Sequence, residues 1–266
     1  PVILEYVPYQ RSTINPKTGK ASDIAGRKEG KFFLSHGYVL VQADMRGTGA
    51  STGWLLDFMP RLSRDGLQLV DWISEQPWCD GNIGMFGGSA FAITQYLPTP
   101  GANSALRSIS PVVATPDLYH HAFLQGGAIR EALAVNWLNG QDSGFFFDEV
   151  REHRLKDAWW DWAEVLEHSG SIHTAGLHVG GWYDIFGQGT LDAFTALQQD
   201  GGSGAVGRQY LIMGPWTHGG LFTNLIGALI YPLNAVRNPL DMLLPWYDAT
   251  LRGDASEIDD WPAARV

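Results

Sequence analysis

Short apolar runs alternate with amphipathic stretches along most of the chain. The strand-like runs are PVILEYV (1–7), YVLVQADM (38–45), NIGMFGG (82–88), LRSISPVV (106–113), AGLHVGG (175–181) and RQYLIMG (208–214). Helical spacing lies between them, as over 65–76, where Gly66, Val70 and Ile73 recur about once per turn. A second helix is predicted to begin beside Ser89 and to stop near Leu97, because Pro98 and Pro100 follow. A third covers about 185–199, ahead of the loop DGGSG. Strands alternating with helices predict an α/β fold with a mostly parallel sheet and helices on both faces. Residues 116–174 break the rhythm: they are rich in aromatic residues and histidine, and 148–168 reads as one amphipathic helix. This stretch lies between two predicted strands, so it is expected to form a helical cap over the carboxyl edge of the sheet, where open α/β sheets carry their active sites. The expected organisation is a core of 1–115 and 175–253, a cap of 116–174, and a further segment, 254–266.

Composition narrows the class. The 266 residues suit one large α/β domain with an insertion, and 45% hydrophobic against 17% charged residues leaves ample material for a core. A net charge of −10 without any Lys/Arg cluster argues against nucleic acid as a partner. The single cysteine, Cys79, allows neither an internal disulfide nor a cysteine-based metal site. No apolar run approaches the ~18 residues of a membrane span. The chain opens at Pro1 already in a strand-like run and ends at Val266 soon after another begins, so both ends read as cut. The expectation is a soluble protein, cytoplasmic or exported, with its oligomeric state left open.

Three side chains form a chemical constellation. Ser89 follows a strand and precedes a helix, Asp184 ends the strand GLHVGGWYD, and His218 follows the strand LIMGPWTH. A serine hydroxyl attacks a carbonyl only with a base to take its proton and a group to orient that base. The chain order Ser, Asp, His is the one used by the α/β-hydrolase fold, and each residue lies just past a strand end, on one edge of the sheet. Each also has a plainer reading. Gly87-Gly88-Ser89 would serve as a simple turn, Asp184 as the N-cap of the following helix, and His218 as a loop residue beside two glycines. The elbow signature G-x-S-x-G is itself broken, since Phe91 stands at its second glycine.

Other patterns offer less. GTGASTG (47–53) lacks the spacing and the lysine of a phosphate loop. His168, His173 and His178 recur every five residues, which suits neither one helix face nor a zinc site. DLYHHAF (117–123) reads as packing rather than as a metal site, and Asp44 with Arg46 as an ion pair bracing a loop. No metal or cofactor is expected.

Several stretches, in order, resemble the cocaine-esterase-like and X-Pro dipeptidyl-peptidase serine hydrolases: VPY (7–9), GYVLVQADMRGTGASTG (37–53), DGLQLVDWISEQPWCDGNIGMFGGS (65–89), GGWYDIF (180–186) and GPWTH (214–218). That family's elbow reads G-x-S-Y-x-G, so Phe91 occupies a variable position, whereas Ala90 and Ala92 replace its Tyr and Gly. The resemblance implies a catalytic triad of Ser89, Asp184 and His218, and an oxyanion hole formed by the Ala90 N–H and the Tyr9 hydroxyl. It also implies Phe186 as a pocket wall, with Trp216, Trp137 and Trp159 as further candidates. Residues 259–266 resemble the first trace of the β-sandwich domain that follows the core in this family.

The expected function is therefore hydrolysis of small carboxylic esters, with amides and X-Pro-type peptides as alternatives, through an acyl-enzyme. The same triad would serve an acyltransferase. A non-catalytic binding protein is the third reading, permitted by Ala90 and Ala92 but opposed by the retention of all three triad residues.

Overall fold

Seven parallel strands form the central sheet of the computed structural model, which describes residues 1–23, 28–53, 58–140 and 144–266. They are β1 (Val2–Val7), β2 (Val39–Asp44), β3 (Ile83–Gly88), β4 (Leu106–Val112), β5 (Ala175–Tyr183), β6 (Gln209–Thr217) and β7 (Ala264–Arg265). Their order across the sheet is β2-β1-β3-β4-β5-β6-β7. Both faces are covered, which is why the strands are nearly continuous apolar runs without in-out alternation. Every residue of β1 is buried. Successive side chains still point to opposite faces: Val2, Leu4 and Tyr6 join one core cluster while Ile3 joins the other.

The helices are α1 (Lys28–Ser35), α2 (Phe58–Ser74), α3 (Ala90–Tyr96), α4 (Glu131–Gly140), α5 (Phe146–Glu152), α6 (Gly187–Asp200) and α7 (Leu240–Tyr247). Leu62, Val70 and Ile73 of α2, Tyr96 of α3 and Leu197 of α6 pack in the first cluster; Phe33 of α1 and Leu243 and Trp246 of α7 pack in the second. The helix expected over 65–76 thus begins earlier, at Phe58. None of the helices among the described residues is long and apolar enough to cross a membrane.

The segment between β4 and β5 contains α4 and α5; its residues 141–143 lie outside the described residues. The single helix expected over 148–168 is not formed. α5 ends at Glu152, and 3-10 turns follow at Ala158–Ala163 and Val165–Ser171. Burial of the tryptophans explains the break. Trp160 is fully buried and its indole N–H donates to the carbonyl of His153 at 2.8 Å, just where the helix stops. Trp159 stacks on the His153 ring at 4.7 Å, and that ring also meets Asp157 at 2.9 Å. On one continuous helix Trp160 would stand about 10 Å along the axis from His153, whose carbonyl the helix's own ladder would occupy, so this indole bond requires the chain to turn back. Residues 254–266, expected to begin a further domain, bring β7 into the same sheet, with Leu211 opposite Ala264 and Ile212 opposite Arg265.

A titratable ring sits deep in the core. His178 of β5 is fully buried, accepting from the Tyr96 hydroxyl on Nδ1 at 2.8 Å and facing Gln209 Oε1 from Nε2 at 2.9 Å. The Gln209 amide nitrogen already donates to the carbonyls of Thr174 (3.1 Å) and Ala205 (2.9 Å), so its oxygen is the acceptor and His178 carries its hydrogen on Nε2. Burial lowers the pKa of this ring from 6.5 to about 4.

Candidate active site

The strand order reverses direction between β1 and β3, and the crevice at such a switch point is where open α/β sheets bind ligands. Tyr9 lies just beyond the end of β1 and Ser89 immediately follows β3, so the two flank this crevice. Asp184 and His218 directly follow β5 and β6.

Ser89 has φ 58° and ψ −125°, a strained conformation for a residue with a side chain, at a sharp strand-to-helix turn. Its N–H donates to the Val112 carbonyl of β4 at 2.9 Å. The missing second glycine has a visible compensation. Gly87 has φ 145°, and a Cβ there would lie 2.4 Å from the Cβ of Phe91. The space that an elbow normally obtains from two glycines is here left by Gly87 alone. Phe91 uses it to place its ring 5.5 Å from that of Tyr9. Ala92 is fully buried, and Ala90 heads α3, where an N–H has no acceptor within the helix.

A continuous relay joins the three candidate residues. Ser89 Oγ is 2.8 Å from His218 Nε2, and His218 Nδ1 is 2.7 Å from Asp184 Oδ1. A carboxylate only accepts, so Nδ1 carries the hydrogen and Nε2 is left to accept from the serine hydroxyl. The Asp184 side chain is wholly buried, and its second oxygen accepts from the Phe186 N–H at 3.0 Å. The N-cap of α6 is Phe186 and not Asp184, so the carboxylate braces the turn ahead of the helix through the Phe186 N–H while it holds the histidine.

A β-bulge aims His218. Gly214 of β6 pairs with Gly181 of β5, but Thr217 pairs with Tyr183, so β6 spends one residue more than β5 over this stretch. The residue after Thr217, His218, then stands level with Asp184. Gly181 makes room for the bulge, since a Cβ there would lie 2.2 Å from the Trp216 carbonyl oxygen. Trp216 does not line the cavity at Ser89 and instead borders a separate pocket with Ile212 and Met242. Its ring folds over Gly214, packs 4.9 Å from Phe222, and donates its indole N–H to the Ala235 carbonyl at 3.0 Å.

Ser89 and His218 open into a cavity of about 300 Å³ whose other walls include Met45, Ile93, Phe123, Leu133, Trp137 and Phe186. Phe186 meets the His218 ring edge-on at 5.4 Å. Trp159 does not line this cavity; it is held in the stack on His153. Among the described lining residues, only Tyr9 and His218 carry ionisable side chains. Burial holds the Tyr9 phenol above its ordinary value of 10, against the lowering effect of a hydrogen bond from Trp137, so its hydroxyl remains a donor at neutral pH.

DLYHHAF contributes walls to the cavity. Leu118, Ala122 and Phe123 line the cavity, whereas His120 pairs with Asp117 at 2.6 Å and His121 contacts Thr115 at 3.0 Å. The i, i+4 spacing of Leu118 and Ala122 was the available signal. Asp44 and Arg46 do not pair with each other. Arg46 makes a bidentate contact with Asp65 at 2.8 and 2.9 Å, while Asp44 accepts from the Ala50 N–H at 3.0 Å and pairs with Arg11.

Residues 1–143 and 132–220 match the X-Pro dipeptidyl-peptidase (S15) family. The chain belongs to this family. It is 26% identical over 292 aligned positions to the cocaine esterase of Rhodococcus sp. (strain MB1 Bresler), an alignment covering 88% of this chain and 48% of that protein. The chain thus spans about half the length of that relative. Solved structures show the same α/β-hydrolase fold. An aminopeptidase from a marine sediment Thaumarchaeota archaeon has a TM-score of 0.78 at 17% identity, over 99% of this chain and 52% of the other. A CocE/NonD family hydrolase from Staphylococcus aureus has a TM-score of 0.76 at 20% identity, over 99% of this chain and 47% of the other.

Proposed function

We propose that this S15-family chain is a serine hydrolase that cleaves carboxylic esters with uncharged, apolar acyl groups through an acyl-enzyme. The observation that carries the proposal is the relay from Asp184 through His218 to Ser89, ending in a cavity with apolar walls. In the first step Ser89 Oγ attacks the ester carbonyl as His218 Nε2 takes its proton. The developing oxyanion accepts from the Ala90 N–H and the Tyr9 hydroxyl; one such donor typically contributes about 10²–10³ in rate. His218 then gives its proton to the leaving alcohol. Asp184 keeps the histidine in the Nδ1–H form and stabilises its positive charge. Water, deprotonated by His218, releases the acid and restores Ser89. The segment 116–174 acts as a cap, since Phe123 and Leu133 within it line the cavity.

The wall composition favours neutral acyl groups over X-Pro peptides. An X-Pro dipeptidyl substrate carries its free α-ammonium on the acyl side, and burying that charge without a partner is costly. Among the described residues lining the cavity there is no carboxylate to receive it.

A fluorophosphonate probe followed by peptide mass spectrometry tests the reading. Labelling is expected at Ser89, absent in Ser89→Ala, and strongly reduced in His218→Ala and Asp184→Asn, with turnover of p-nitrophenyl butyrate falling about 10⁴-fold in the last. Folded protein that takes no label, or that labels equally in Ser89→Ala, refutes the assignment. Faster turnover of a Gly-Pro anilide than of the butyrate ester refutes the substrate class.

A further inference from the structure

The Tyr9 hydroxyl does not stand alone at the mouth of the cavity. The indole Nε1 of Trp137 lies 2.7 Å from it, across a sequence separation of 128 residues. An indole nitrogen can only donate, so the direction of this bond is settled without seeing a hydrogen: the phenol oxygen accepts. One of the two lone pairs of Tyr9 is thereby occupied, and its own O–H must point elsewhere. The ring is fixed as well, between Phe91 at 5.5 Å and Trp137 at 6.5 Å, the latter edge-on. Gln10, directly after Tyr9, has a left-handed φ of 66°, which turns the chain there.

Trp137 belongs to α4, within the segment between β4 and β5, and Leu133, Ala134 and Trp137 of that helix all line the cavity. The cap helix is therefore bonded to the group that would receive the oxyanion.

We propose that Trp137 is a positioning residue: its indole N–H holds and polarises the Tyr9 hydroxyl so that the phenol proton is presented to the oxyanion of the acyl-transfer transition state. The proposal rests on the ester-hydrolase reading above. A hydroxyl that accepts one hydrogen bond donates a stronger one, by roughly 10–30% per bond in a chain of such bonds. Applied to an oxyanion donor contributing 10²–10³, this corresponds to about 2- to 8-fold in kcat. The bond is strongest where negative charge develops, so the effect belongs to kcat, while the indole's bulk as a cavity wall affects KM.

The test replaces the indole N–H without changing the shape. Trp137 is substituted by benzothienylalanine, in which sulfur replaces the N–H, through amber suppression, alongside Trp137→Phe and each change in a Tyr9→Phe background. The expected result is a 2- to 8-fold loss of kcat on p-nitrophenyl butyrate with KM unchanged for the benzothienyl variant. Trp137→Phe should lose kcat and also alter KM. In the Tyr9→Phe background, which itself loses about 10²-fold, the benzothienyl substitution should cause no further loss of kcat. A benzothienyl variant with wild-type kcat, or one whose loss persists undiminished in Tyr9→Phe, overturns the proposal while leaving the hydrolase reading intact. Wild-type kcat in Tyr9→Phe itself removes Tyr9 from the oxyanion hole and the role of Trp137 with it. Absence of fluorophosphonate labelling at Ser89 would instead defeat the underlying reading, so the two failures are separable.

Discussion

Acid should destabilise this protein through His178, by an amount that follows from the burial of the ring. In the unfolded chain the ring protonates below its ordinary 6.5, whereas in the folded protein burial delays protonation to about 4. Between these values the unfolded state holds more protons, so lowering the pH favours unfolding. The lost stability accumulates as pH falls from about 6.5 and levels off below about 4. Each unit inside the window removes about 1.4 kcal/mol, and integration from pH 7 to pH 4 gives about 3 kcal/mol. That is a large fraction of the 5–15 kcal/mol typical of a domain. The comparison variant is His178→Gln, which offers a donor and an acceptor but does not titrate. Urea titrations followed by tryptophan fluorescence at half-unit pH steps would give both stability curves, and carboxylates contribute alike to the two. The wild type is expected to be the more stable at pH 7 and to lose about 3 kcal/mol of that advantage by pH 4. Parallel curves over the whole range would refute the argument, because they would mean that the buried ring protonates as readily as an exposed one.

Two further predictions concern backbone geometry near the candidate triad. Gly181→Ala places a Cβ 2.2 Å from the Trp216 carbonyl and should displace the bulge. We expect at least a tenfold drop in the rate of fluorophosphonate labelling at Ser89 with an unchanged far-UV circular dichroism spectrum; an unaltered labelling rate would contradict the role given to the bulge. Gly87→Ala meets both an unfavourable φ of 145° and the Phe91 Cβ at 2.4 Å. It should cost about 2 kcal/mol or more in a denaturation experiment, and Gly87→Ala/Phe91→Gly should recover part of that loss. A double variant no more stable than the single one would show that the two positions do not share space.

The strands were legible because a parallel sheet buried on both faces leaves runs such as VILEYV and QYLIMG with few polar interruptions. The strand-to-helix turn at Ser89 was legible for a different reason: it falls between an apolar run and a helical one, and Asp184 and His218 follow equivalent apolar runs. What could not be read is what depends on close approach. Nothing in GPWTH distinguishes a strand end from a bulge, so Trp216 looked as suited to the pocket as Trp137. Their fates differ because the Trp216 ring turns back over Gly214, while Trp137 reaches Tyr9 from a helix far away in sequence. The helical reading of 148–168 failed because hydrophobic spacing records how many residues are buried, not whether one straight axis can bury them all. Trp160 is buried only by leaving that axis.

The bulge in β6 has a consequence for how such a strand can change. Up to Gly214 the strand keeps step with β5, and beyond it the strand spends one residue more, carrying Trp216 into the core and His218 to the strand's end, with a phase slip between the two halves. Substitutions that repack Leu211 or Ile212 can therefore be absorbed upstream without rotating His218. The same insulation makes the histidine loop a poor cassette. Transplanted into a sheet without a glycine opposite Trp216, the motif would keep its residues but turn its imidazole toward the wrong face. The portable unit is the pair of strand ends, Gly181 through Asp184 together with Gly214 through His218.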